Sequence, residues 1–286
     1  MNIRIRRHGS ADAFLRRAES WLLEAEAEYT VPLGLAYRMR ESLAGFVPPI
    51  YLATVERGGD VVGCAFRTPP FKLGLTRMPD EALPALVEDV AGVYAEIPAV
   101  LGPEREARRF AALWSERTGV VAREGMRERI YRLDAVQAPA QPPPGRLRVA
   151  EPEDLDLATE WIASFAAEAG IQTADAARMA EAQISRAALV LWEDEVPRSM
   201  AVEAARTPNG ARIGFVYTPP QWRGRGYASA CVAELSQRIL DSGRRFCCLY
   251  TDLSNPTSNA IYQRIGYRAV CDVADYEFAA PEQEAR

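Results

Sequence analysis

The chain is poor in histidine, has no paired cysteine spacing, lacks a long apolar run and carries no excess of positive charge. His8 is the one histidine among 286 residues, so a thiol enzyme built here would have a single candidate imidazole base. The five cysteines (Cys64, Cys231, Cys247, Cys248 and Cys271) form no Cys-x-x-Cys pair. An odd count with two adjacent members fits buried thiols in a reducing compartment better than a disulfide framework, and no metal site is expected from them. No apolar stretch reaches the roughly 20 residues of a membrane span. The basic start, Arg4, Arg6 and Arg7, is not followed by the apolar core of a signal peptide. A net charge of −5 provides no bulk field for nucleic acid. With 48% hydrophobic and 26% charged residues the composition is globular, and a cytoplasmic location is expected.

What the chain does have is a strand, a glycine-rich turn and a helix in immediate succession. Ile213 to Tyr217 reads as a strand, ended by Pro219-Pro220 because proline has no N–H for a ladder. After Gln221-Trp222 comes Arg223-Gly224-Arg225-Gly226. Next is a helical stripe of Ala228, Cys231, Val232, Leu235 and Ile239. The first turn of a helix has free N–H groups and a dipole that favours anions; glycines let a phosphate approach the backbone closely. Arg223 and Arg225 add positive charge. A second stretch follows. Phe246 to Tyr250 reads as a buried strand, and Asn255, Pro256 and Gly266 sit at N-cap, N1 and C′ of a short helix that carries Tyr262 about two turns in.

Together the two stretches resemble the GNAT family of acyl-CoA-dependent N-acyltransferases. That family's turn reads Gln/Arg-x-x-Gly-x-Gly/Ala, and its later helix has an Asn with a Tyr seven residues on. Both Gln221-x-x-Gly224-x-Gly226 and Arg223-x-x-Gly226-x-Ala228 satisfy the turn. The second frame is preferred, because it keeps a two-residue spacer after Pro220 and places the small Ala228 against the sheet. A Rossmann dinucleotide site would need Gly-x-Gly-x-x-Gly and an acidic residue about 20 positions on, and neither is present.

Gln137 to Gly145, with four prolines, reads as an extended linker. It divides the chain into residues 1–136 and 146–286, whose element orders match. In the second half, strands Ala188–Trp192 and Ser199–Ala205 flank a turn at Asp194-Glu195. In the first, strands Ile50–Val55 and Val61–Phe66 flank Gly58-Gly59-Asp60. Phe71–Leu75, helix Glu81–Tyr94, strand Ile97–Leu101, helix Glu104–Arg117 and strand Arg129–Leu133 then follow. The halves open with helices at Asp12–Glu28 and Asp154–Glu168. The expected fold is α/β (α+β): two GNAT-like domains in tandem, each a mixed, largely antiparallel twisted sheet flanked by helices. The first half lacks the turn glycines. Its Thr76-Arg77-Met78-Pro79-Asp80-Glu81 carries carboxylates at the helix start, so it is expected to have lost CoA binding.

The resemblance implies that the second half moves an acetyl group from acetyl-CoA to an amine by direct attack. The diphosphate would rest on the backbone amides of Gly224, Arg225, Gly226, Tyr227, Ala228 and Ser229, with Arg223 adjacent. The pantetheine arm would pair with the strand edge at Val216, Tyr217 and Thr218, with a further hydrogen bond from Asn255. Tyr262 would protonate the leaving thiolate, although its helical spacing from Ile265 fits a core aromatic too. Glu203 and Asp252 are the candidate bases; an edge position facing water and a loop cap are their respective alternatives, and the amine's proton could also pass to water. Trp114, Trp161 and Trp192 read as core. The acceptor is a small molecule or peptide amine, with neither nucleic acid nor membrane as partner, in a monomer or homodimer. Two other functions stay open: an acyl-CoA-binding module without turnover, and a tandem aminoacyl transferase that draws on aminoacyl-tRNA.

Overall fold

Residues 2–139, 141–170 and 175–280 are described by a computed structural model. Local signals fix many element ends. Helix α1 (Ala11–Glu24) starts where the Ser10 side chain accepts from Ala13 N at 3.2 Å. Helix α4 (Glu104–Thr118) stops at Gly119, which takes the left-handed conformation at φ 79°. The chain divides into two compact units: the first holds residues 1–130, 252–254 and 270–286, the second 131–251 and 255–269.

The first unit follows the order β1 (Ile3–Arg7), α1, α2 (Thr30–Glu41), β2 (Tyr51–Arg57), β3 (Asp60–Arg67), β4 (Leu73–Leu75), α3 (Leu83–Ala91), β5 (Ala99–Pro103), α4 and most of β6 (Val121–Leu133). Strands β1 to β5 pair antiparallel with their neighbours except for the β4–β5 pair, which is parallel. Side chains alternate across the sheet as the pleat requires. Tyr51, Ala53 and Val55 join the core with Leu83, Leu86, Phe110 and Trp114 of α3 and α4. Leu52 and Cys64 join Phe14, Leu22 and Leu33 of α1 and α2 on the other face. The strand beside β5 comes from the far end of the chain: Val273 to Glu277 of β12 (Arg268–Ala279) pair antiparallel with Pro103 to Ala99. Ala274 and Tyr276 complete the α3/α4 core.

The second unit repeats the order: β7 (Arg146–Val149), α5 (Leu155–Glu168), α6 (Ala176–Ser185), β8 (Leu189–Asp194), β9 (Val196–Arg206), β10 (Gly210–Tyr217), α7 (Tyr227–Asp241), β11 (Phe246–Asp252) and α8 (Pro256–Ile265). Its sheet runs β7-β8-β9-β10-β11, antiparallel except for the parallel β10–β11 pair. Helices α7 and α8 cover one face, and α5 and α6 the other. Each unit is thus a mixed, largely antiparallel sheet between helices.

The structure departs from several sequence expectations. The helix expected over Asp12–Glu28 ends at Glu24, and a second helix, α2, follows it. Strand β4 is only Leu73–Leu75, and α3 starts at Leu83 after a short turn over Asp80–Ala82. Strand β6 begins at Val121, so the alternating charges of 123–129 decorate a strand. Strands β1, β7 and β12 and helices α2 and α6 form where the sequence reading assigned no element. Trp114, Trp161 and Trp192 are buried, as expected. The compact units do not follow the proline linker. Residues from Tyr131 group with the second unit, those from Val270 with the first, and Trp192 Nε1 donates to the Pro144 carbonyl at 2.9 Å. Among the described residues no helix is long and apolar enough to cross a membrane.

Candidate active site

The glycine turn forms the mouth of α7. Gly224 and Gly226 have φ of 74° and 85°, the left-handed region where an L side chain is strained. Crowding is not the reason: a Cβ at Gly224 would meet nothing within 4 Å, and one at Gly226 would meet only Pro143 at 3.7 Å. Gly226 is the N-cap residue of α7 and offers no side chain to the first turn, where no acidic residue lies. The N–H groups of Tyr227, Ala228 and Ser229 therefore have no side-chain cap, and the positive end of the helix dipole is uncompensated. Tyr227 is buried and anchors this end through its hydroxyl, which donates to Asp194 Oδ2 at 2.7 Å. Arg225 lies 5.0 Å from the Trp222 ring centroid, and Arg198 packs on that ring at 3.7 Å. Arg223 is engaged elsewhere: it donates to Glu168 at 2.7 and 2.8 Å and to the Thr218 carbonyl at 2.8 Å. Ala228 stays half-buried and is not among the residues that α7 buries against the sheet, unlike Cys231, Val232, Leu235 and Ile239.

Strand β10 opens toward this turn. Its parallel ladder with β11 covers Gly210 to Ile213 and stops there. On its other side the register with β9 shifts between Gly214↔Val202 and Tyr217↔Met200, so three steps on β10 oppose two on β9. This is a β-bulge, and Phe215 takes φ 52° within it. The bulge turns the strand and leaves the β11-facing edge of Val216 and Tyr217 outside the ladder. The end is pinned from beneath, where buried Ser199 Oγ donates to the Tyr217 carbonyl at 3.0 Å and Thr218 Oγ1 donates to Ser199 Oγ at 2.9 Å. The sequence places Ser199 at a strand start and announces neither the bulge nor the pinning bond of that hydroxyl; Gly214 inside a strand pattern is the available signal.

Helix α8 brings Tyr262 to the same core as α7. Asn255 caps it, with Oδ1 accepting from Ser258 N at 3.0 Å. Asn259 and Gln263 bond the Tyr131 hydroxyl, each at 3.0 Å, which fixes the helix rotation. Tyr262 is 7% exposed and packs edge-on to Tyr267 at 6.0 Å. Burial, and next the nearby Cys231 thiol, hold its hydroxyl above the usual tyrosine range, so it stays protonated. Among the described residues no hydrogen bond to that hydroxyl is seen. The Cys231 thiol is itself pushed up to about 12 by burial, which makes it an inert core group rather than a nucleophile.

The two candidate bases are placed differently. Glu203 pairs in register with Ile213 and stands three residues along β9 from Met200, the partner of Tyr217, or about 10 Å from the turn end. Its carboxylate receives the Arg206 guanidinium at 2.5 and 2.8 Å. Asp252 closes β11 and caps the following loop, accepting from Ser254 N and Ser254 Oγ at 2.7 Å each; by contacts it groups with the first unit. Asp252 thus shows the loop-capping geometry, and Glu203 is not brought to the turn.

The corresponding turn of the first unit has different chemistry. Asp80 and Glu81 stand at its helix start, and Glu104 and Glu106 in the first turn of α4. Glu106, 3% exposed, accepts from Met78 N at 3.3 Å and pairs with Arg105 at 3.0 Å. A backbone donor that could meet an anion is spent on a carboxylate. Among the described residues no His/Cys/Asp/Glu group could hold a metal ion in either unit.

The family model described as FR47-like protein matches residues 193–276. No curated protein matches the chain. Among solved structures, a GNAT-family acetyltransferase from Colwellia psychrerythraea is similar at 16% identity and a TM-score of 0.60, covering 96% of this chain and 100% of that one. A GCN5-related N-acetyltransferase from Sphaerobacter thermophilus is similar at 17% identity and a TM-score of 0.58, over 96% and 94%. A tandem GNAT protein from the clavulanic acid biosynthesis pathway is similar at 13% identity and a TM-score of 0.54, over 99% and 100%. The chain is built on the GNAT fold, in two tandem units, with the FR47-like match falling in its second half.

Proposed function

We propose that the second unit is an N-acyltransferase that moves an acyl group, acetyl in the simplest case, from acyl-CoA to a small or peptide amine. The reading rests on one juxtaposition: an uncapped helix N-terminus behind two left-handed glycines, beside a strand edge that a bulge has released. The diphosphate is held by the main-chain N–H groups from Gly224 to Ser229, which suit an anion at no cost in side-chain entropy. The pantetheine amides add to the β10 edge at Val216, Tyr217 and Thr218 as a short extra strand, and a backbone N–H there polarises the thioester carbonyl as charge grows on its oxygen. The Asn255 side-chain NH2, not used in the helix cap, is a further donor to this arm. Tyr262 gives its proton to the departing sulfur. Glu203 is held by Arg206 and Asp252 by Ser254, so neither is assigned the base.

Calorimetry with acetyl-CoA tests the binding half of this reading, and free-thiol release across a panel of amines tests the transfer half. No heat with folded protein would remove the reading. Gly224→Ala sharpens the test. The new methyl has open space, so folding should lose only the left-handed penalty of about 1–2 kcal/mol. Relief of that strain rotates the amides away from the diphosphate, and acetyl-CoA should bind roughly tenfold more weakly, since about 1.4 kcal/mol is tenfold. Unchanged affinity would show that these amides do not hold the phosphates.

A further inference from the structure

The first unit contains a cavity of about 990 Å³, which the preceding assignment does not use. It opens at the C-terminal ends of the parallel strands β4 and β5, a crevice where α/β sheets commonly take ligands. Met78 and Glu106 line its floor, and Trp21 and Tyr29 form one wall. The two wall rings are stacked, 5.0 Å apart and 16° from parallel; Tyr29 is buried and Trp21 half-buried.

The charges decide what this cavity accepts. Arg77 and Arg105 face it, and each is already neutralised, Arg77 by Glu28 at 2.8 Å and Arg105 by Glu106 at 3.0 Å. Of the lining carboxylates, Glu104 pairs with Arg127 at 2.8 Å and Asp272 with Arg129 at 2.6 Å. Glu24 is exposed and, among the described residues, takes no ion pair. The helix starts nearby carry carboxylates, and Met78 N is committed to Glu106, so an anion would meet repulsion and few donors. One surplus negative charge beside an aromatic face suits a cation with an apolar arm.

We propose that this cavity binds a small organic monocation, an amine on an aromatic or alkyl arm. Its ammonium sits between Glu24 and the Trp21 face, and its arm lies against Tyr29 and Met78. The site belongs to the first unit and is independent of the acyl-transfer assignment.

Calorimetry of the full chain with 2-phenylethylamine and its neutral counterpart 2-phenylethanol tests this. The amine should bind once per chain and the alcohol roughly tenfold more weakly, because the alcohol forfeits both the ion pair and the cation–π contact. Glu24→Gln, an exposed change that leaves the fold intact, should weaken the amine about fivefold and narrow its advantage over the alcohol. Trp21→Leu should weaken both probes. Acetyl-CoA affinity should not change in either variant. Absence of binding at roughly millimolar amine, about −4 kcal/mol, would overturn the proposal. So would equal affinity for the two probes, or an amine titration that Glu24→Gln leaves untouched. The last result would place the amine elsewhere, as in the acceptor site of the second unit.

Discussion

Tyr262→Phe should lower acyl transfer about 10²-fold or more while acetyl-CoA affinity stays within a factor of about two. The substitution removes one oxygen and keeps the ring that packs against Tyr267, so the core around α7 and α8 is preserved. The hydroxyl has two properties that a proton donor needs here. Burial keeps it protonated at any working pH. It also makes no hydrogen bond within the described protein that would have to break first. Burial raises both groups alike, so tyrosine remains the weaker acid and its proton reaches sulfur only as negative charge builds there while the C–S bond breaks. Steady-state rates at saturating acetyl-CoA, together with a calorimetric titration, separate the two quantities. A rate equal to that of the parent would show that Tyr262 is a core aromatic and nothing more. A rate and an affinity that fall together would assign it to binding.

Ending the chain at Ala269 should unfold the first unit. Val273, Ala274 and Tyr276 of β12 are 6%, 0% and 8% exposed, and Ala274 and Tyr276 complete the core under α3 and α4. Each large apolar side chain lost costs about 1.5–3 kcal/mol. The ladder from Val273 to Glu277 supplies further hydrogen bonds to β5, of about 1 kcal/mol each. The sum rivals the roughly 5–15 kcal/mol by which an entire domain is stable. Lys72 would also lose Asp275, its buried ion-pair partner. Amide exchange across Ala99–Gly102 reports this directly: protection there should vanish in the shortened chain. Protection and melting equal to those of the full chain would show that β12 is dispensable.

Local chemistry explains what the sequence revealed. The turn and both helices of the candidate site were legible because proline, glycine and an Asx cap mark the backbone whatever surrounds them: Pro219-Pro220, Gly224, Gly226, Asn255, Pro256 and Gly266 all act where they stand. The bulge was not legible, because an aromatic β-former such as Phe215 gives no sign of a positive φ; the register around it is set by Val202 and Met200 of another strand. Helix α2 was hidden by Pro32 and Gly34 within its first turns. Strand β1 reads as a basic N-terminus, since Arg4, Arg6 and Arg7 outnumber the two isoleucines that pack inward. Strand β12 escaped because its partner is Ala99–Pro103, some 170 residues upstream by the pairing of Val273 with Pro103, and nothing local announces so distant a ladder.

That distant ladder dictates a schedule. On the ribosome, residues 1–130 emerge first, yet the strand that flanks β5 is synthesised only after all of α7, β11 and α8. The nascent amino-terminal unit must therefore wait, its β5 edge open and vulnerable to mispairing, until the carboxyl-terminal stretch arrives.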